Sequence, residues 1–463
     1  MTEEKLEKSK YEIDMCNGPI LKKMLIFTLP LMMSSILQLI FNAADIIVVG
    51  RFAGDNSMAA VGSTSSLINL LINLFIGLSV GANVLAARYY GAKQQKDLED
   101  TIHTSMTISL ISGVFLAIIG VVGAPMILKA MGTPDSVLSL AVMYVRVYFL
   151  GMPAMMVYNF GAAILRAFGD TKRPMVFLIL SGVINVILNL IFVIIFRMDV
   201  AGVALATTIS QCVSAVLVVL CLMKSNGGVK LDLRKLGING DKIKKILQIG
   251  LPAGFQGTLF SLANVVIQSS INSFGDIVVT GSSAASNIEG FVYVAMNSFY
   301  QATISFTSQN VGAGKIERVN RILYTALGCV TVVGFVLGNL SYIFSDALLG
   351  LYTKSPVVIE QGRIRLSIIC TTYALCGIMD VLVGSLRGLG CSLVPMIVSL
   401  IGACGFRIVF LSTIFKLDMF HYIEMVYMTY PISWIMTLSA HIVSFIIIKR
   451  KINRGAKTGL RYG

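Results

Sequence analysis

The segment from Leu21 to Gly50 constrains the fold of this chain more than any other. After the basic pair Lys22 and Lys23 it holds only one charged residue, Asp45. About 20 apolar residues suffice to cross a bilayer as an α-helix, so this segment predicts a membrane span. A carboxylate inside a span is costly, and chains keep one mainly where it faces a protein interior or a wet cavity. Asp45 is therefore the first candidate for a functional residue.

Pro30 lies in the same span. Proline removes a backbone donor and bends a helix, and membrane helices tolerate this when neighbouring groups satisfy the freed carbonyl. The sequence therefore predicts a hinge at Pro30 in a helix that carries a buried acid.

The rest of the chain shares this apolar character. Its 463 residues are 56 % hydrophobic and 13 % charged, with a mean hydropathy of +0.82, whereas soluble domains carry about 25 % charged residues. The composition predicts an all-α polytopic membrane protein. Apolar runs predict twelve spans, near residues 21–49, 58–87, 101–124, 136–162, 174–196, 200–223, 246–273, 278–309, 319–345, 357–386, 393–415 and 421–448.

The basic residues between the spans predict the topology. When loops are assigned alternately to the two sides, the side that holds both termini has 28 Lys and Arg and the other side has five. Positive charge stays cytoplasmic, so both termini are predicted inside, in a plasma membrane of bacterial inner-membrane type. The net charge of +14 then reflects topology and contact with anionic lipids, which argues against nucleic acid as a partner.

The two halves of the chain repeat at an offset of 221 or 222 residues. Leu29-Pro30 matches Leu251-Pro252, Gly91-Ala92 matches Gly312-Ala313, and Arg166 to Gly169 matches Arg387 to Gly390. Six spans per repeat give both halves the same orientation, which predicts two pseudo-symmetric bundles with a site at their interface. The predicted organisation is a cytoplasmic N-terminal segment 1–20, an N-lobe 21–223, a cytoplasmic linker 224–245, a C-lobe 246–448 and a cytoplasmic tail 449–463.

Two pairs of glycines predict close helix packing. Gly77 and Gly81 lie four residues apart, as do Gly250 and Gly254. Small residues at this spacing let helix backbones approach in membranes.

Few polar residues lie deep in the predicted spans. Asn185 and Asn189 share one face of the fifth span, and Asn189 precedes Arg197 by eight residues, about 12 Å of helix rise. Asp45 precedes Arg51 by six residues, about 9 Å, so the three polar residues lie at similar depth. They form a candidate cation-coupling network, or alternatively they hydrogen-bond helices together.

The second repeat has three deep charges. Glu289 in the eighth span and Arg407 in the eleventh lie at similar depth, and a buried charge needs a partner, so we expect these two to pair. Asp380 in the tenth span is expected either to take part in ion coupling or to pair with a loop arginine. Each of the three could act in transport or serve only as a structural ion pair.

The sequence gives no sign of a catalytic, metal or nucleotide site. The eight cysteines and three histidines show no ligand spacing, and no phosphate-binding glycine loop is present. We therefore expect no enzyme, no cofactor and no ATPase subunit, and any transport would use an ion gradient.

Several motifs together resemble the MATE (multidrug and toxic compound extrusion) family. They are Asp45 to Gly50 at the end of the first span, Arg88 to Ala92 after the second, Arg166 to Asp170, and Arg387 to Gly390. The resemblance covers residues 17–450. It implies twelve transmembrane helices in two lobes of a V-shaped transporter, and a secondary antiporter that exports small organic, typically cationic, compounds across the bilayer in exchange for H⁺ or Na⁺.

The resemblance also assigns roles to particular residues. Asp45 matches the family's first-span acid at the N-lobe coupling site, and Asn185 and Asn189 match the polar positions of the fifth span. Many relatives carry an acid at the second of these positions, where this chain has Asn189. With Asp45 as the lone acid there, and no acid in the seventh span, H⁺ is favoured over Na⁺.

Two other functions stay open at this stage. The first is a flippase for a lipid-linked saccharide, from the same broader superfamily, in which Arg146 and Arg407 would meet a pyrophosphate. The second is a polytopic membrane enzyme such as a glycosyltransferase, which would need a polar catalytic loop. The longest loop here, Lys224 to Lys245, is short and basic.

Overall fold

The computed structural model describes residues 11–225 and 230–457. Parts of three predicted segments lie outside these residues, namely 1–10 of the N-terminal segment, 226–229 of the linker and 458–463 of the tail. The described residues form helices and no strand. The helices are α1 Ile20–Phe52, α2 Asp55–Gly91, α3 Gln95–Ala130, α4 Asp135–Leu150, α5 Met152–Ala167, α6 Lys172–Leu190, α7 Asp199–Met223, α8 Gly240–Asn272, α9 Asp276–Gly312, α10 Ile316–Ile343, α11 Ser345–Gly350, α12 Pro356–Gly388, α13 Leu393–Ser399, α14 Phe406–Ser412 and α15 Ile423–Lys457.

The helices account for the predicted spans. Within the described residues, ten helical segments are long and apolar enough to cross a bilayer. The pair α4 and α5, bent by 47° at a break of one residue, makes an eleventh. The predicted span 278–309 falls on α9, which has 37 residues and is absent from that set. Its Ser, Thr, Asn and Gln residues are spread along the helix, so no stretch of α9 is apolar enough to join that set.

Two stretches of π-helix lie beside candidate residues. One, Ile191–Ile195, continues α6 directly after Asn189 and Leu190. The other, Leu400–Gly405, joins α13 to α14 just before Arg407. Such turns widen the helix locally and are frequent at functional sites. Pro30 lies inside the continuous helix α1, and its role as a hinge stays a prediction.

The chain forms two compact units. The first comprises Met1–Thr258 and Ser308–Lys315, and the second comprises Leu259–Thr307 and Ile316–Gly463. The first unit therefore takes in the beginning of α8 and the last residues of α9. The lobe boundaries given from the sequence stay a prediction.

The two glycine pairs pack against each other inside the first unit. A Cβ atom on Gly77 would lie 2.2 Å from the Gly254 nitrogen, and one on Gly81 would lie 2.3 Å from the Ile246 oxygen. A Cβ on Gly254 would in turn meet the Leu74 oxygen at 2.2 Å. The prediction of close backbone approach is confirmed, and it joins α2 to the first part of α8.

Candidate functional site in the first unit

Asp45, Asn185 and Asn189 form one hydrogen-bonded network between α1 and α6. The Asn189 side-chain amide donates to Oδ1 of Asp45 and also to Oδ1 of Asn185, at 3.3 Å. Asn185 is 5 % exposed and Asn189 is fully buried. The spacing of the two asparagines, one helical turn apart, is what lets them act together.

Thr207 on α7 completes the network, and sequence reasoning missed it. Asn185 Nδ2 donates to Thr207 Oγ1 at 3.2 Å, and the hydroxyl donates to the Val203 oxygen at 3.0 Å. Thr207 also lies within hydrogen-bonding reach of Asp45. Adjacent threonines, Thr207 and Thr208, in an apolar span were the signal that could have pointed to this position.

The network presents the Asn189 amide N–H₂ group and no positive charge to Asp45. Among the described residues Asp45 has no ion-pair partner, and Oδ1 of Asn189 is buried without a hydrogen bond. Tyr144 and Tyr148, with ring centroids 5.8 Å apart, are the nearby aromatic groups. A carboxylate surrounded by amide and hydroxyl groups can bind a proton, and its oxygens together with a free amide oxygen can also receive a small cation.

Charged groups in the second unit

Glu289 pairs with Arg365, so the expected pairing of Glu289 with Arg407 is wrong. Arg365 Nε donates to Glu289 Oε1 at 2.7 Å and Nη2 donates to Oε2 at 2.9 Å. Nη1 donates to Ser282 Oγ at 2.8 Å. Similar depth in the membrane is not enough to predict an ion pair, because a bidentate pair also requires the two side chains to face each other. Helix α12 brings Arg365 against Glu289 on α9.

Arg407 instead lies against aromatic rings of α15. Its guanidinium carbon lies 4.1 Å from the Tyr430 ring centroid, and its Nε donates to Ser433 Oγ at 2.9 Å. No carboxylate among the described residues pairs with Arg407.

Asp380 likewise has no ion pair among the described residues. Arg387 is the charged group that interacts with it electrostatically. The coupling or structural roles of these charges stay predictions.

Comparison with known proteins

The arrangement described so far is that of a multi-pass membrane protein with a polar site buried between its helices. The MatE family model matches the chain twice, over residues 30–191 and 252–413. The two matches begin and end 222 residues apart, which confirms the repeat predicted from the sequence. The chain belongs to the MATE family, whose members are transporters rather than enzymes.

Similar proteins agree with this assignment. The probable multidrug resistance protein YoeA of Bacillus subtilis (strain 168) is 28 % identical over 394 residues, which cover 84 % of this chain and 85 % of YoeA. The multidrug export protein MepA of Staphylococcus aureus (strain MRSA252) is 21 % identical over 375 residues, covering 81 % of this chain and 82 % of MepA.

Solved structures share the fold over nearly the whole chain. A multidrug resistance MATE family transporter in its outward-facing conformation superposes with a TM-score of 0.86 at 25 % identity, covering 97 % of this chain and 100 % of that one. A MOP superfamily transporter from Pyrococcus furiosus gives a TM-score of 0.87 at 24 % identity, with the same coverage.

Among the described residues, no group of three or more His, Cys, Asp or Glu side chains is arranged to hold a metal ion.

Proposed function

We propose that this protein is a secondary active antiporter that exports organic, typically cationic, compounds in exchange for H⁺, by alternating access. The observation that carries the proposal is the network around Asp45. An acid inside a membrane span is stabilised by a counter-ion, a bound cation or a proton. Asp45 has only the Asn189 amide and the Thr207 hydroxyl as partners among the described residues, which leaves the coupling ion itself as the group that neutralises it.

Na⁺ is the alternative coupling ion. It would be bound by the Asp45 carboxylate with the free Oδ1 of Asn189 and the Thr207 hydroxyl. Hard cations favour sites with several charged oxygen ligands, and here a single carboxylate supplies the charge. A proton needs only that carboxylate, so we place H⁺ first.

Coupling follows from the change of charge at Asp45. Protonation from outside removes a charge that the surrounding helices must solvate. Helix α1 can then repack, with Pro30 as the proposed hinge. Pro30 precedes Asp45 by 15 residues, about 22 Å along the helix. Moving a two-state equilibrium from 1:99 to 99:1 requires a preference of about 5.5 kcal/mol for one state. A buried carboxylate that gains or loses its charge can supply a difference of this order.

The proposed topology places both termini in the cytoplasm of a bacterial cell, with the protein in the inner membrane. The 28 basic residues on one side of the chain support this orientation. The inwardly directed proton gradient of such a membrane then drives H⁺ inward through the protein as the substrate leaves.

The flippase alternative is less well supported. A pyrophosphate carries several negative charges and is held by converging basic groups. Arg146 is exposed and donates to the Val121 oxygen at 3.0 Å, and Arg365 is neutralised by Glu289. A single arginine, Arg407, suits a group with one negative charge better than a pyrophosphate.

The proposal is tested by flux of a fluorescent organic cation from proteoliposomes, with a pH gradient and a Na⁺ gradient imposed separately. The variant Asp45→Asn removes the titratable group and keeps its shape. We expect it to abolish flux driven by the pH gradient. Asp135→Asn, the same change at an exposed position of the first unit, is the matched control and should transport normally. Full gradient-driven flux in Asp45→Asn would contradict the proposal.

A further inference from the structure

The second unit contains two buried arginines whose hydrogen bonding differs sharply. Arg365 is 6 % exposed and Arg407 is 4 % exposed. Arg365 uses all three of its nitrogens, two on Glu289 and one on Ser282. Arg407 makes one hydrogen bond among the described residues, from Nε to Ser433 Oγ, and its Nη2 is buried with no acceptor. A guanidinium has five N–H donors, so most of those on Arg407 are unused.

Aromatic rings at different orientations surround the Arg407 guanidinium, and the planes of Tyr430 and Trp434 meet at 71°. The Tyr430 ring centroid lies 4.1 Å from the guanidinium carbon, and the Trp434 ring centroid lies 5.9 Å from it. Tyr373 stacks on Trp434 with centroids 5.5 Å apart. Ring faces attract a cation, but they accept no strong hydrogen bond. The rings therefore hold the guanidinium in place and leave its Nη2 without an acceptor among the described residues.

Arg407 lies well inside its helical segment, far from the lipid headgroups at either end. The helical segment Leu393–Lys416 is a membrane span, and residue 407 lies about 21 Å of helix rise from its first residue and about 14 Å from its last. A hydrocarbon core is about 30 Å thick, so Arg407 lies far from either surface. An arginine at such a depth is expensive unless it is paired.

We propose that Arg407 is a subsite for a carboxylate on the transported compound, with Tyr430 and Trp434 contacting the adjoining ring. The inference rests on the proposed function and adds to its substrate class amphoteric compounds, in which an aromatic cation also bears a carboxylate. A carboxylate matches the guanidinium fork because two parallel N–H groups meet two oxygens. One carboxylate neutralises the single charge of Arg407 and gives the buried Nη2 an acceptor.

A matched pair of dyes tests the inference in proteoliposomes. Rhodamine 19 carries a free carboxylate, and rhodamine 6G is its ethyl ester, so the two differ only in the group that Arg407 would bind. We expect Arg407→Gln to lower rhodamine 19 flux about tenfold or more, since a hydrogen bond to a charged group contributes about 1.5–3 kcal/mol. Rhodamine 6G flux should change little. Arg363→Gln, at an exposed arginine of α12, should affect neither dye.

Each pattern of dye flux either supports or contradicts the subsite at Arg407. Equal loss of both dyes in Arg407→Gln would mean that Arg407 serves folding or an internal pair, and would overturn the subsite. Unchanged flux of both dyes would also overturn it. If the wild-type protein carries neither dye under any gradient, the proposed antiport fails, and a binding measurement then decides on the subsite alone.

Trp434 makes that binding measurement direct, because it is the only tryptophan of the chain and lies beside Arg407. We expect benzoate to change its fluorescence saturably in the purified wild-type protein and in Arg363→Gln, but not in Arg407→Gln. Benzamide, which has the same ring without the charge, should have no effect. No saturable response to benzoate would overturn the inference. Chloride that gave the same response, and that benzoate could not displace, would identify a resident counter-ion and overturn it as well.

Discussion

The contact between α2 and α8 gives a prediction that can be worked out from distances. Gly81 lies so close to α8 that a Cβ atom there would be 2.3 Å from the Ile246 oxygen and 3.0 Å from the Gly250 nitrogen. Both are backbone atoms, so no side-chain rotation relieves the contact. The substitution Gly81→Ala can be accommodated only if the two helices move apart.

The size of the effect follows from the displacement required. A Cβ atom needs about 3.3 Å from an oxygen, so the helices must separate by about 1 Å. A gap of about 0.5–1 Å already forfeits a quarter to a half of the dispersion attraction between the atoms on either side. Membrane helices associate largely through this packing, because lipid supplies no hydrophobic drive between them. Overpacking in cores costs about 1–3 kcal/mol, and we expect Gly81→Ala to lie in that range.

Gly62 provides the matched control on the same helix. A Cβ there meets nothing within 4 Å. Alanine also reduces the freedom of the unfolded chain, which stabilises by about 0.4–1 kcal/mol. After heating in detergent, the fraction that stays monodisperse on size exclusion gives an apparent melting temperature. We expect this temperature to fall for Gly81→Ala and to stay equal or rise for Gly62→Ala. Indistinguishable temperatures for the two variants would refute the packing argument.

Two further predictions concern the charged and polar groups. Glu289→Gln leaves the buried charge of Arg365 without its carboxylate, and we expect a loss of about 3–5 kcal/mol of stability; the double variant Glu289→Gln/Arg365→Gln, measured by the same heating assay, should be more stable than the single one. Asn189→Asp adds a second carboxylate beside Asp45, and we expect flux to gain a dependence on a Na⁺ gradient, because hard cations prefer charged oxygens. Flux by Asn189→Asp that ignores Na⁺ would contradict this expectation.

The helices could be predicted from the sequence because apolar length alone marks a span. The same criterion explains why α9 differs from the others. Its residues Ser283, Asn287 and Asn297 are polar and at least partly exposed, and such residues interrupt its apolar stretches although the helix has 37 residues. Polar residues along one side of a long membrane helix indicate that this side faces water or other polar groups rather than lipid.

The site was predictable only in part. Asn185 and Asn189 could be grouped from their spacing within one helix, and Asp45 from its depth. Thr207 was missed because a hydroxyl in a helix usually bonds to its own backbone, as Thr207 does with Val203, and nothing in its spacing shows that it also receives Asn185. Its contribution depends on how α6 and α7 pack, which the sequence does not contain.

The two buried arginines of the second unit differ in whether a carboxylate pairs with them. This difference distinguishes a structural role from a functional one. Glu289 and Arg365 satisfy each other, and their removal together would leave no uncompensated charge. Arg407 has the same burial and no such partner, so it stays costly in the structure as it stands. A protein keeps an unpaired charged side chain at such a depth when a bound molecule neutralises that charge at another step of the transport cycle. The same reasoning applies to Asp45 in the first unit, where we propose that a proton neutralises the charge. The buried charges of the two units would then be neutralised by different species. Asp45 in the first unit would bind the coupling ion, and Arg407 in the second would bind the anionic group of the transported compound.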